Sequence, residues 1–228
     1  MIGKILVVED EADIRNLVAA YLKKEGYDVL EAADGLQALG MAQFGNLDIV
    51  ILDIMLPEKS GLEVLAALRQ ESDVYVILLT AKTEEMDKLV GLNMGADDYV
   101  TKPFSPRELV ARVNAAMRRM AQGAGVEKKK IYQFAHIKLD ESAHKVWVDH
   151  EALDLTAVEF DLLKTLMAHR GQVLSRVQLL EFVWGTNYYG ETRVVDVHIG
   201  HIRKKLGNRF ISTVWGVGYR FEDEPFDD

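Results

Sequence analysis

The chain contains no cysteine, no apolar run near the roughly 20 residues needed to cross a bilayer, and no net positive charge. The first absence excludes disulfides and every form of thiolate chemistry. The second excludes a membrane-spanning protein. The start, "MIGKILVVEDE", turns acidic after a short apolar run and lacks a small-residue cleavage site, so it does not read as a signal peptide, and a cytoplasmic location is expected. The formal charge of -9 argues against nonspecific nucleic-acid affinity for the chain as a whole. Charge is better counted by segment. Residues 1–122 carry 13 Lys and Arg against 20 Asp and Glu, whereas residues 123–228 carry 14 against 16. Within the second half, Thr192 to Arg209 holds five basic residues, one acid and two histidines, a local basic stripe in an acidic protein.

What is present is a composition, 49% apolar and 28% charged, typical of a soluble globular protein, at a length of 228 residues that suits two domains. The first half alternates short apolar runs with amphipathic segments. Strands are predicted at Lys4 to Val8, Asp28 to Ala32, Ile49 to Leu52, Val74 to Leu79 and Asp98 to Thr101, with a helix in each gap and another from Pro106 to Met120. That is (βα)5, a doubly wound parallel sheet in the α/β class. Ser105, Pro106 and Glu108 form a helix-start signature. "AQGAGVEKKK", residues 121–130, has no apolar period and reads as a linker, dividing a domain at 1–120 from one at 131–228. Beyond it, Ile131 to Leu155 reads as short strands. Capping boxes at Thr156/Glu159 and Ser175/Gln178 open two helices, and a third spans Thr192 to Leu206 with Val195, Ile199, Ile202 and Leu206 on one face. "FISTVWGVGYRFE" reads as a hairpin around Gly216 and Gly218, and no internal repeat is visible.

In an open parallel sheet, ligands sit beyond the carboxyl ends of the strands, where strand order reverses. The first strand ends in Glu9 and Asp10, the third in Asp53 and the fourth in Thr80, and the fifth is followed by Lys102. An order of 2-1-3-4-5 brings the three acids into one crevice, and three carboxylates repel one another unless a cation joins them. An all-oxygen site with room for water suits Mg2+, or Mn2+. Any one strand-end acid is more often a solvated turn residue. Together with a hydroxyl and an amine, the set fits phosphoryl transfer to a carboxylate: Asp53 as nucleophile, Lys102 pairing with a phosphoryl oxygen, Thr80 donating a hydrogen bond. A flavin binder of the same architecture would need a phosphate-cradling loop where "EDEAD" stands. A phosphatase of the haloacid-dehalogenase type would need a second acid two residues after the nucleophile, where this chain has Met55. A phosphatase or phosphotransferase with an accessory domain is the alternative from another class.

"VVEDE", "ILDIMLP", "LLTAK" and "GADDYVTKPF" together resemble the receiver domain of two-component response regulators. "TRVVDVHIGHIRKKLG" with "TVWGVGYRF" resembles the winged-helix effector of the OmpR/PhoB family. The resemblance covers nearly the whole chain. It implies a flavodoxin-like receiver joined to a winged helix-turn-helix (α+β) domain, working as a phosphorylation-controlled transcription factor rather than a turnover enzyme. It implies a sensor histidine kinase and double-stranded promoter DNA as partners, and a homodimer on activation. By the same resemblance Asp53 is the phosphoacceptor, Glu9 and Asp10 are the metal acids, and Met55 offers its backbone carbonyl. Thr80 and Tyr99 are the switch pair, Lys102 binds phosphate, and the bond to Pro103 is cis. The dimer face would be the charged mixture of Lys88, Asp97, Asp98, Glu108, Arg112 and Arg119.

In the second domain the helix surface left after burying the apolar face is expected to present Arg193, Val197, His198, Gly200, His201, Arg203 and Lys204 to a major groove, with the wing adding Trp215 and Arg220. The chain departs from the family pattern at Gly200, His201 and Trp215, where a polar or basic residue and two arginines are common. His201 is therefore expected to carry a pH-dependent share of DNA affinity. Trp184 is expected to pack, and the loop "GTNYYGE" is a candidate RNA polymerase surface.

Overall fold

The computed structural model describes residues 3–81, 91–92, 94–122, 130–185, 188 and 191–223. The helix expected between the fourth and fifth strands, with Lys88, falls mainly on residues outside this set, as do most of the linker and most of the "GTNYYGE" loop. The chain divides into two compact units, residues 1–117 and 118–228.

The first unit runs β1 (Lys4–Val8), α1 (Ala12–Lys24), β2 (Asp28–Ala32), α2 (Gly35–Phe44), β3 (Ile49–Asp53), α3 (Gly61–Glu71), β4 (Tyr75–Ala81), β5 (Asp98–Lys102) and α4 (Pro106–Gln122). The five strands form one parallel sheet in the order β2-β1-β3-β4-β5. Parallel strands with helices on the faces are covered on both sides, which is why β3 carries no alternation: Ile49, Val50, Ile51 and Leu52 are all fully buried. Each such side chain contributes about 1.5–3 kcal/mol relative to leaving it exposed. The register pairs Val8 with Leu52, Asp53 with Leu79 and Thr80 with Thr101, so the carboxyl ends of the inner strands finish level. Helix α3 opens on a full Ser60/Glu63 capping box. Its first residue must be glycine, because a Cβ on Gly61 would lie 2.0 Å from the carbonyl oxygen of Asp53.

The second unit begins with an antiparallel sheet in the order β6 (Ile131–Gln133), β7 (Ile137–Asp140), β8 (Lys145–Val148) and β9 (Glu151–Leu153). Then follow α5 (Ala157–Ala168), β10 (Val173–Ser175), α6 (Arg176–Trp184), α7 (Arg193–Leu206), β11 (Ile211–Val214) and β12 (Gly218–Phe221). The predicted capping boxes at Thr156/Glu159 and Ser175/Gln178 are both formed. The hairpin β11–β12 is antiparallel and gains a third strand, β10, which the sequence pattern does not separate from the helix start at Ser175. A Cβ at Gly218 would meet the carbonyl oxygen of Leu174 at 2.0 Å, so only glycine permits this third strand to close. Phe160, Phe210 and Phe221 anchor the core beneath the three helices. No helix among the described residues is long and apolar enough to cross a membrane.

Candidate functional site

The level strand ends of β1, β3, β4 and β5 build the first site. Glu9 is fully buried, Asp53 is 3% exposed and Asp10 stands in solvent. One carboxylate oxygen from each lies within 4.8 Å of the others. The loop carrying Glu9 and Asp10 is held by Arg15, whose Nη1 donates to the carbonyl oxygens of Glu9 at 2.6 Å and Asp10 at 3.1 Å. Lys102 closes the crevice: its Nζ donates to Asp53 Oδ2 at 2.6 Å and to Glu9 Oε1 at 2.9 Å. Burial raises the Glu9 pKa, the hydrogen bond from Lys102 opposes that rise and the charge of Asp53 reinforces it, leaving the group pushed up to about 7. Burial of Lys102 works against its charge, but Asp53 and Glu9 outweigh that and raise its pKa. The backbone N–H of Met55 donates to Asp53 Oδ1 at 3.2 Å, while its side chain is exposed. Thr80 and Tyr99 are buried, and the Lys102–Pro103 bond is cis.

In the second unit, α7 is followed by the hairpin, whose tip carries Trp215 at 90% exposure. Along α7, Arg193 and Lys204 are exposed and Val197 and Gly200 half-exposed. Arg220 is half-exposed on β12 and pairs with Glu222 at 2.6 Å. Asp196 ties this helix to its neighbours by accepting from Arg176 Nε and from the Tyr219 hydroxyl, each at 2.7 Å. Burial and the nearby Asp196 push the Tyr219 hydroxyl up to about 12.

Comparison with known proteins decides the family. Residues 5–114 match the response regulator receiver domain and residues 150–221 match the transcriptional regulatory protein C-terminal domain. The transcriptional regulatory protein SrrA of Staphylococcus aureus is 41% identical, with 99% of each chain covered. Among solved structures, a mutant of RitR covers 97% of this chain and 99% of its own at 30% identity with a TM-score of 0.76. The response regulator DrrB, described as a Thermotoga maritima OmpR/PhoB homolog, has the same coverage at 35% identity and a TM-score of 0.53. The chain belongs to the OmpR/PhoB family of response regulators. As a member it is a phosphorylation-controlled transcription regulator with a DNA-binding domain, not a turnover enzyme. Its receiver implies a histidine kinase partner.

Several expected positions in this response regulator are corrected by the structure. His198 and His201 do not face outward: they are 1% and 8% exposed. At about 100° per residue His198 lies on the flank of the Val195, Ile199, Ile202 and Leu206 stripe, and helix α5 covers that flank, widening the buried arc to include His201. His198 packs beside Trp184, at 5.6 Å between ring centroids, and Trp184 is itself buried as expected. Burial lowers the His201 pKa despite Glu159 nearby, which removes the basis for a pH-dependent DNA contact there. Arg203 is turned onto the hairpin, donating to the Ile211 carbonyl at 2.7 Å and to Thr213 Oγ1 at 2.7 Å. On the charged face, Asp97 points inward, accepting from Val76 N at 2.8 Å and Arg69 Nη2 at 2.7 Å. Asp98 and Arg112 are buried and paired with each other at 3.1 Å, and Arg112 also holds Glu108 at 2.7 Å. Burying these acids is tolerable because each meets a guanidinium. Arg119 lies in the last turn of α4. Arg15, Arg69 and Gly61 are absent from the sequence reading, since an arginine that donates to backbone carbonyls and a glycine that admits a carbonyl leave no periodic signal.

Proposed function

We propose that Asp53 accepts a phosphoryl group from the sensor kinase and that the resulting phosphoaspartate controls binding to double-stranded promoter DNA. The observation that carries this reading is the bridging of two buried carboxylates by Lys102 beside a third acid. The fit to Mg2+ or Mn2+ rests on an oxygen-only donor set in which three carboxylates gather one oxygen each within 4.8 Å and a single lysine faces them. Glu9, Asp10, Asp53 and the backbone carbonyl of Met55 would hold that ion, which when bound neutralises charge on the phosphoryl oxygens. A carboxylate oxygen of Asp53 attacks phosphorus as the bond to the donor's histidine nitrogen breaks, and the electron pair leaves with the imidazole. Lys102 pairs with a phosphoryl oxygen and Thr80 donates to another. Met55, where a phosphatase of this type would have its acid-base group, leaves hydrolysis without that assistance, so the phosphoaspartate persists as a signal.

Tyr99 relays the change at Thr80 to the face formed by β5 and α4, where Glu108 and Arg119 are the partly exposed charges. There two copies associate as a two-fold dimer. Residues 1–120 serve as the receiver, 121–130 as the linker and 131–228 as the DNA binder, in the cytoplasm. Arg193, Val197 and Lys204 meet the major groove, Trp215 and Arg220 the adjacent minor groove, and the loop after Trp184 is a surface for RNA polymerase. Intact-mass measurement after acetyl phosphate and Mg2+ tests the chemistry: the native chain gains one phosphoryl group and Asp53→Asn gains none. Full labelling of Asp53→Asn would refute the assignment. Sedimentation with and without beryllofluoride tests the dimer, which an unchanged mass would rule out.

A further inference from the structure

The second unit contains a cluster that phosphoryl transfer and DNA binding leave without a role. Glu159, His198 and His201 each offer one ligand atom, and these atoms lie within 4.8 Å of one another. All three residues are buried, at 2%, 1% and 8% exposure. Glu159 comes from the first turn of α5, and the two histidines lie three residues apart on α7, the spacing that delivers both rings to one side of a helix.

The two oxygens of Glu159 are differently engaged. Oε2 accepts from Thr156 N at 3.0 Å and from Lys205 Nζ at 2.7 Å, so one oxygen fixes the plane of the carboxylate. Oε1 faces His201, whose Nδ1 is 3.6 Å away, beyond hydrogen-bond reach. His201 Nε2 is buried and has no hydrogen-bond partner. The nitrogen of that ring turned toward Glu159 Oε1 is Nδ1, which makes Nδ1 the ligand atom of the cluster. The rings of His198 and His201 stand nearly perpendicular, with centroids 5.8 Å apart.

We infer that Glu159, His198 and His201 form a binding site for a divalent transition-metal ion, Zn2+ by its donor chemistry, at the junction of α5 and α7. Two imidazole nitrogens and one carboxylate oxygen are a recurrent Zn2+ set that leaves a position for water, whereas Mg2+ and Ca2+ prefer oxygen throughout. With metal–ligand bonds of about 2.0–2.2 Å, two ligands of a tetrahedral ion stand roughly 3.3–3.5 Å apart. The 3.6 Å separation of His201 Nδ1 and Glu159 Oε1 is already close to that. Lys205 and Thr156, by holding Oε2, orient the ligating carboxylate as outer partners do in metal sites. The departure of this chain from the family's common arginine at His201 thus supplies a ligand where a fixed cation would exclude one.

The test uses the full chain freed of metal, in excess Mg2+ to occupy the acidic crevice, with Co2+ as the spectroscopic stand-in for Zn2+. One equivalent of Co2+ should give visible ligand-field bands that Zn2+ abolishes, and Zn2+ should raise the tryptophan-detected unfolding midpoint by about 4–8 °C. All three tryptophans lie in the second unit, so this signal reports on it alone. The bands should survive Asp53→Asn and vanish in His201→Gln and in His201→Arg. The arginine variant keeps a cation beside Glu159 and is the folded control. Bands absent from the native chain, or undiminished in the folded His201 variants, overturn the site. Imidazole NMR of the native chain needs no variant: Zn2+ should shift the His198 and His201 rings, and shifts confined to the exposed His144 and His150 would overturn the site equally.

Discussion

Glu9 in the first unit and Glu159 in the second are both almost fully buried, and each is held by one lysine: Lys102 at 2.9 Å and Lys205 at 2.7 Å. They differ in what else reaches the carboxylate. Glu159 closes a capping box, taking the Thr156 N–H and sitting at the positive end of α5, so the helix that it starts also stabilises its charge. Glu9 ends a strand, where among the described residues no backbone N–H reaches its carboxylate, and the neighbouring acid Asp53 adds repulsion. The first glutamate shares its one lysine with a second buried acid, and the second is satisfied on one oxygen by the helix that it caps. The same residue type, equally buried, is strained in a reactive crevice and settled in a structural cap.

Removing each acid in metal-free protein should have opposite effects on the two units. Glu159→Gln should destabilise the second unit by about 2 kcal/mol, since it weakens the cap and leaves Lys205 without its charge partner. The tryptophan-detected midpoint should fall by roughly 10 °C. Asp53→Asn should instead stabilise the first unit, by about 1 kcal/mol in calorimetry, because it relieves repulsion against Glu9. Destabilisation by both variants would erase the distinction between crevice and cap.

The buried Glu9 also makes the first unit sensitive to pH. The folded-state pKa of Glu9 is raised from 4.5 to about 7, so the folded chain keeps a proton that the unfolded chain has lost. This contribution to stability is complete below the usual value and disappears as pH rises through about 7. A metal ion must displace the same proton, so Mg2+ affinity measured by calorimetry should rise about tenfold from pH 6 to pH 8. Affinity that is flat across that range would mean that Glu9 is ionised throughout.

The smallest effect separates the surface of α7 from its buried side. Lys204→Ala should make the slope of log affinity for DNA against log salt shallower by about one unit, the share of one phosphate. His201→Gln should leave that slope unchanged, since the ring is buried. A slope lowered equally by both would return His201 to the DNA surface.

These contrasts also mark what the sequence made legible. The parallel sheet and its order, the strand-end acids and the two capping boxes in the second unit were readable because each has a short-range signature: an uninterrupted apolar run closed by a polar residue, or Ser/Thr followed three residues later by Glu/Gln. Lys102 was readable only jointly with Glu9 and Asp53, from which it is separated by 93 and 49 residues. Residue type alone assigns His198 and His201 to the basic stripe, whereas the width of the buried arc on α7 depends on α5 packing along its flank. Asp97 differs from its expected place for a related reason. Its neighbour Arg69 lies 28 residues earlier, and no local pattern announces that the pair turns inward. Strand β10 is only three residues long and borders a helix start, so it carries no period of its own.

The most direct test of the central claim, that chemistry at Asp53 governs DNA binding, is fluorescence anisotropy on a duplex selected from random DNA. Binding is measured for the native chain and Asp53→Asn, each with and without acetyl phosphate and Mg2+. Phosphorylation should tighten binding of the native chain by at least about tenfold, equivalent to 1.4 kcal/mol, and leave Asp53→Asn unchanged. An equal gain in Asp53→Asn, or no gain in native protein that mass measurement finds fully labelled, would contradict the account.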